Sequence, residues 1–289
     1  MSSTKDYVNL HILVFLWGFT AILGKLISIP AVEMVFYRTL LAALGMGALM
    51  LYRKEPFRVH TNDLVKLLLT GTVVAMHWLT FFLAVKLSNP STALVGFATC
   101  SFWAALLEPI MKGKKIQAIE VMLGIVVVVG LYIIFSFDFQ YPFGLFLGIL
   151  SGVTVAIFGV LNSLFVTRMN PTTITFYEMT GACLSIAVTF FFYAPGQLQL
   201  VPSALDWLWI AILAFVCSVY AYAVSIELMK RLSVFFIQLS LNLEPVYGII
   251  LALLIFGESE VMGLTFYIGT IVILAAVMLY PFLKSRRIH

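Results

Sequence analysis

Apolar runs of about twenty residues recur from one end of this chain to the other. A helix rises about 1.5 Å per residue and a bilayer's hydrocarbon core is about 30 Å thick, so each run can cross it. Lipid offers no partner for a bare peptide group, which restricts spanning structure to helices and closed barrels. The runs are continuous rather than alternating, and they read as helices. Composition agrees: 62% of residues are hydrophobic, only 10% are charged, and the mean hydropathy is +1.08. A soluble domain carries about 25% charged residues. The expectation is an all-α polytopic membrane protein whose surroundings are the lipid bilayer. The polar start, Met1 to Asn9, leads directly into the first span, with no cleavable signal segment evident.

Spans are expected at about 10–28, 32–52, 64–85, 92–110, 119–137, 143–166, 172–193, 206–228, 233–255 and 260–283, which makes ten. The joins carry breakers such as Pro30, "KEPFRVHTND", "LSNPST" and "KGKK". Alternate joins are basic. One set holds Lys5, Arg53, Lys54, Arg58, Lys112, Lys114, Lys115, Arg168, Lys230 and Arg231, with the tail Lys284, Arg286 and Arg287 and the nearby Lys66, or 14 of the 17 Lys and Arg. The other set holds Lys86 alone, and Lys25 and Arg38 lie within spans. Short cytoplasmic loops collect Lys and Arg, so both termini are expected inside, in a bacterial inner membrane. This placement accounts for the basic balance without a nucleic-acid partner. Cys100, Cys183 and Cys217 fall in apolar segments without metal-type spacing, and neither a metal nor another cofactor is expected.

The stretch "VFYRTL" (Val35 to Leu40) is echoed by "TFYEMT" (Thr175 to Thr180), which follows the same aromatic pair with the opposite charge. A wider repeat lies behind the echo. Lys86-Leu87-Ser88 falls on Arg231-Leu232-Ser233 at an offset of 145, and the same offset places His77 on Tyr222, Thr99 on Glu244 and Gly124 on Gly269. Two repeats follow, 1–142 with spans 1–5 and 143–289 with spans 6–10. Five spans is an odd number, so the second half is expected upside down relative to the first. Inverted repeats of this kind place a transporter's substrate site near the midplane, between the halves.

"NLEPVYGIILALLIFGE" (Asn242 to Glu258) resembles the ninth-helix signature of the EamA-type drug/metabolite transporter superfamily. "LWG" (Leu16 to Gly18), Lys25 and "FYR" are similar to that family's opening helices. The resemblance covers the whole chain as two five-helix units. It implies a cavity lined by helices 1–4 and 6–9, peripheral helices 5 and 10, and movement of a small-molecule substrate, often export of amino acids or related compounds. Two positions depart from the pattern: Gly113 replaces an acidic residue of the second half, and Thr154 sits near where Trp17 would repeat.

Ionisable groups within spans are costly and tend to face protein or water. Glu244 precedes Pro245, which removes a backbone donor and is expected to kink span 9. A carboxylate there could bind a cationic group, carry a coupling proton, or serve only as a structural acid. His77 and Trp78 in span 3, Trp103 in span 4, and Tyr220 and Tyr222 in span 8 share mid-depth; a planar solute could stack there, with His77, Tyr222 and Asn242 as polar tips. The competing reading is ordinary aromatic packing. Asn162 is expected to hydrogen-bond across helices, Lys25 to snorkel outward or face the cavity, and Glu33 to be an exposed first-turn acid. By inverted topology Arg38 lies about 9 Å below the outer face and Glu178 at a similar depth from the inner one. They are expected to mark two gates, or to be repeat-borne packing residues, without a direct salt bridge.

The leading functional expectation is a secondary transporter of a small amphiphilic metabolite, an exporter of amino acids, aromatic ones among them. Lys25, Arg38, Glu178, Glu244 and Pro245 would serve gating or coupling, and a coupling proton is allowed for at Glu244 or His77. No P-loop pattern is present, and no HExxH; an enzyme is not expected. The alternative is a lipid or lipid-phosphate translocase with Lys25 and Arg38 at a head group.

Overall fold

A computed structural model describes residues 3–88, 90–135, 141–192, 201–244, 246–247 and 264–285, and among them the regular structure is entirely helical. The helices are α1 (Thr4–Leu26), α2 (Ala31–Tyr52), α3 (Thr61–Leu87), α4 (Pro90–Phe97), α5 (Cys100–Met111), α6 (Ala118–Phe135), α7 (Pro142–Phe165), α8 (Pro171–Thr189), α9 (Ala204–Ala211), α10 (Ala221–Leu228), α11 (Val234–Leu241) and α12 (Leu264–Ser285). A π-helical segment, Ile212–Tyr220, joins α9 to α10 in one rod. Among the described residues, seven helical stretches are long and apolar enough to cross a bilayer, and Ala118–Ile133 and Tyr267–Tyr280 are shorter apolar helices. Pro245, the rest of the expected ninth span and the start of the tenth lie outside the described residues.

Local sequence explains where the helices start. Prolines begin α7 and α8 and immediately precede α2, where a missing N–H costs no helical bond. Capping boxes open α1, through Ser3 and Asp6, and α9, through Ser203 and Asp206. The first turn of α11 is capped twice: the Phe236 N–H donates to Ser233 Oγ, and the Phe235 N–H donates to Glu108 Oε2 at 2.8 Å. A carboxylate suits a helix N-terminus because unpaired N–H groups gather there.

Two interruptions fall at matching places. A turn at Ala98–Thr99 separates α4 from α5, and α11 gives way to a turn at Asn242 and Leu243. The offset of 145 carries Phe97 onto Asn242 and Ala98 onto Leu243. In the second copy Pro245 has no N–H to offer Leu241. The first copy has no proline there; instead, Thr99 Oγ1 donates to the Gly96 carbonyl at 2.8 Å.

Helix pairings follow the same exchange between halves. α3 packs on α7 and α8, while the α9–α10 rod packs on α1 and α2; α4–α5 packs on α7, while α11 packs on α1. Three pairings map onto themselves: α2 with α8, α5 with α11, and α6 with α12. One close crossing runs along a stripe of Gly144, Gly148 and Gly152. A Cβ on Gly148 would lie 2.8 Å from the Ala93 carbonyl oxygen, and one on Gly96 would lie 2.7 Å from the Gly148 Cα. Lipid is as apolar as the side chains, so backbone approach of this kind, not hydrophobic burial, holds such helices together.

Connections gather on two faces. On one, Arg231 pairs with Asp6 at 2.9 Å, Arg168 with Asp63 at 2.9 Å, Lys230 with Glu227 at 2.7 Å and Lys112 with Glu108 at 2.8 Å. The Arg231–Asp6 and Arg168–Asp63 pairs each bring a basic join beside another connection, in keeping with the alternation. On the other face Asp206 accepts from Ser28 N at 2.7 Å and Ser28 Oγ at 2.8 Å, and Lys86 Nζ donates to the Ile27 carbonyl at 2.8 Å. The clamp on Ser28 corrects the expectation for Glu33. The α1–α2 turn is held beneath the start of α9, the first turn of α2 is buried, and Glu33 is fully enclosed rather than exposed.

Candidate functional site

Trp17 and Thr20 of α1, Arg38 of α2, His77, Trp78, Phe81 and Phe82 of α3 and Phe97 of α4 meet Val155, Phe158 and Asn162 of α7, Tyr222, Ser225, Ile226 and Met229, and Ile237, Gln238, Leu241 and Glu244 around one cavity. Both halves contribute, and α6 and α12 contribute nothing among the described residues. Repeat-related positions face one another: His77 and Phe81 map at offset 145 onto Tyr222 and Ile226, and all four line the space. The cavity measures about 70 Å³ and is mainly apolar. That volume suits a few waters, so entry of a larger solute requires its walls to spread.

The first-half wall is aromatic with a charge at its edge. His77 Nδ1 lies 2.8 Å from Ser151 Oγ and 3.1 Å from the Ser151 carbonyl, which fixes its ring against α7. Phe97 and Phe158 pack around that ring at centroid distances of 5.7 and 5.5 Å. At the next residue of α3, the Arg38 guanidinium carbon sits 3.8 Å above the Trp78 ring. Arg38 Nε donates to Ser218 Oγ at 2.8 Å. Ser218 can accept because its own proton goes to the Leu213 carbonyl five residues back, at 2.9 Å. That spacing comes from the π-helical segment. The same widening sends the Ala221 N–H to Val216 rather than Cys217, and the freed Cys217 carbonyl accepts the Trp17 indole N–H at 3.0 Å. Departures from regular helix of this kind concentrate at functional sites.

The second-half wall is a hydrogen-bonded cluster. Glu178 Oε2 accepts from Tyr222 at 2.6 Å and from Asn162 Nδ2 at 3.2 Å; that amide also donates to the Tyr222 hydroxyl oxygen at 3.0 Å. Asn162 and Tyr222 line the cavity, whereas Glu178 is fully buried behind them. The Tyr222 ring stands 6.3 Å from Trp78 in a T-shaped pair, so the Arg38 and Glu178 supports meet edge to face. The two charges form no ion pair with each other.

The remaining expected site residues divide. His77, Trp78, Asn162, Tyr222 and Glu244 surround the cavity, as does Arg38. Trp103 does not: its indole donates to Thr99 Oγ1 at 3.2 Å, and it packs against a small cluster with Ala104, Ala156, Val160 and Val234. Asn242 is also off the lining, because its amide closes the α11 break through Ser101 Oγ, at 3.0 Å, and the Gln238 and Leu239 carbonyls. Tyr220 is exposed, and Lys25 lies exposed in the last turn of α1, whereas Arg38 is buried. Pro245 lies outside the described residues. Trp17, Phe81, Phe97, Phe158 and Gln238 were not anticipated. Their signal was helical spacing, since Phe81 is one turn past His77, and Phe158 and Gln238 are one turn before Asn162 and Asn242.

A family profile described as the EamA-like transporter family matches residues 7–136 and again 142–281. The chain belongs to the EamA-like transporter family. It is thus an integral membrane transporter of the drug/metabolite transporter superfamily and not an enzyme. No curated protein matches it significantly. A solved structure, described only as a crystal structure of a protein, superposes with a TM-score of 0.79 over 99% of each chain at 16% identity. That likeness speaks to the fold of this EamA-like transporter and carries no substrate with it.

Proposed function

We propose that this EamA-like transporter is a secondary transporter exporting a small amphiphilic metabolite, with amino acids, aromatic ones included, as its substrate class. The two matched stretches act as inverted halves. They rock about the cavity in alternating access, with both termini on the cytoplasmic side of a bacterial inner membrane. The observation that carries this reading is the composition of the cavity wall. Rings from α3, α4 and α7 supply stacking surfaces, while Arg38, Asn162, Tyr222 and Glu244 supply polar ends, and both halves contribute. An apolar space with a few convergent polar groups is the usual form of a small-molecule site. The small present volume fits a resting state that widens as the halves move apart.

Counterflow in proteoliposomes tests the reading. Vesicles preloaded with unlabelled aromatic amino acid should accumulate the labelled form transiently, and empty-vesicle controls should not. If no amino acid, nucleobase or sugar phosphate exchanges, the proposal fails.

A further inference from the structure

Arg38 poses a charge problem that the description of the site leaves open. It is only 2% exposed, on a helix that crosses the membrane. Among the described residues no carboxylate comes within ion-pair distance of it, Glu244 on the same lining included. An uncompensated buried charge is strongly unfavourable, so a guanidinium kept here needs an anionic partner for part of its working cycle. Its anchoring shows where that partner belongs. Nε is occupied by Ser218 Oγ and one face of the guanidinium plane by Trp78, while the terminal nitrogens have no hydrogen bond to a described residue. Arg38 lines the cavity, so a solute there would meet this side chain. A planar fork held at one nitrogen and stacked on a ring is preorganised for two parallel bonds to an oxyanion.

We propose that Arg38 is the anion-recognition residue of the cavity: its terminal nitrogens bind a carboxylate or phosphate group of the transported solute, and Ser218 and Trp78 are positioning residues that aim the fork. The proposal rests on the transporter reading and assigns one end of its substrate. The adjoining rings of Trp78 and Phe82, the latter 5.9 Å from the guanidinium carbon, would cover the apolar part of a solute bound there.

The test compares matched ligand pairs on the full chain in phosphatidylcholine nanodiscs, read as dissociation constants from thermal unfolding. The pairs are L-phenylalanine with L-phenylalaninamide, 3-phenylpropionate with 3-phenylpropionamide, and phenyl phosphate with phenol. In at least one pair the anion should bind at least about tenfold more tightly than its partner, the scale of a charged hydrogen-bonded contact. Arg38→Gln should erase that preference, and Arg38→Lys should keep part of it. Ser218→Ala retains the charge and should reduce the preference severalfold while leaving the uncarboxylated partner's affinity unchanged, with Ser218→Thr restoring it. Equal weakening of both members by Ser218→Ala would overturn its positioning role. Absence of anion preference in every pair, or its survival in Arg38→Gln, overturns the proposal. Should Arg38→Gln fail to fold, the Ser218 variants carry the decision. Repetition in phosphatidylglycerol nanodiscs separates the anion sources: if that lipid occupies Arg38 while no soluble anion is preferred in either membrane, the ligand is a lipid head group and the solute assignment is wrong. Solute exchange by the native protein without anion preference defeats this proposal alone; loss of all exchange defeats the transporter reading.

Discussion

Arg38 and Glu178 occupy repeat-related places after the same Phe-Tyr pair, yet their surroundings differ in kind. The aromatic pairs are alike, with Phe36 and Tyr37 edge to face at 5.4 Å and Phe176 and Tyr177 at 5.0 Å. Each tyrosine reaches a neighbouring element: Tyr37 packs on Trp207 at 4.9 Å, and Tyr177 donates to the Phe57 carbonyl. Beyond that point the copies diverge. The guanidinium opens on the cavity, while the carboxylate is sealed behind Asn162 and Tyr222. Duplication thus preserved the packing motif, and the charge that follows it became lining in one half and backing in the other. A lining charge is placed where a solute in the cavity would meet it; a backing charge sets the shape and polarity of the wall.

The sharpest way to break this contrast is to neutralise both charges. Arg38→Gln should lower counterflow by at least about tenfold with abundance little changed, because it removes a ligand. Glu178→Gln should cost about threefold or less, since an amide oxygen can still accept from Tyr222 and Asn162. Equal losses would erase the distinction. A stability measurement comes next. Tyr222→Phe leaves Glu178 with one donor and should lower unfolding free energy by about 1–3 kcal/mol, the cost of a buried acceptor left short. Gly148→Ala should cost a similar amount, about 1–3 kcal/mol, through overpacking against α4 in a place where no charge is involved. The smallest effect belongs to the basic face. Asp63→Ala removes a half-exposed Arg168 pair and should shift stability by at most about 1 kcal/mol.

Much of the fold was legible because membrane crossing and repetition leave periodic traces. The apolar runs, the alternating basic joins and the offset of 145 together anticipated the one-sided grouping of ion pairs and the mapped helix pairings. The cavity lining was legible where a residue was both polar and deep, as at His77, Asn162, Tyr222 and Glu244. It was not legible where the outcome depended on rotation about a helix or on a distant clamp. Trp103 had the right depth and the wrong face. Asn242 had the right polarity, but its bonds are spent on the α11 break. Glu33 looked like a surface acid because nothing near it in sequence announces that the first turn of α2 is buried and that Asp206 ties the preceding turn to α9. The Gly144, Gly148 and Gly152 stripe was visible as a spacing, but its meaning required knowledge of which helix lies opposite. The π-helical segment that aims Ser218 has no comparable pattern in the residues themselves.

The central claim is that solute passes through the space between the halves, and blocking that space tests it most directly. Ser225 is a buried residue on the lining, where a large side chain would fill the cavity from α10. Counterflow of labelled aromatic amino acid should be robust in native proteoliposomes and fall to the empty-vesicle level in Ser225→Trp, with the variant still monodisperse and inserted. Undiminished exchange by that variant would mean that the route lies elsewhere and would contradict the account.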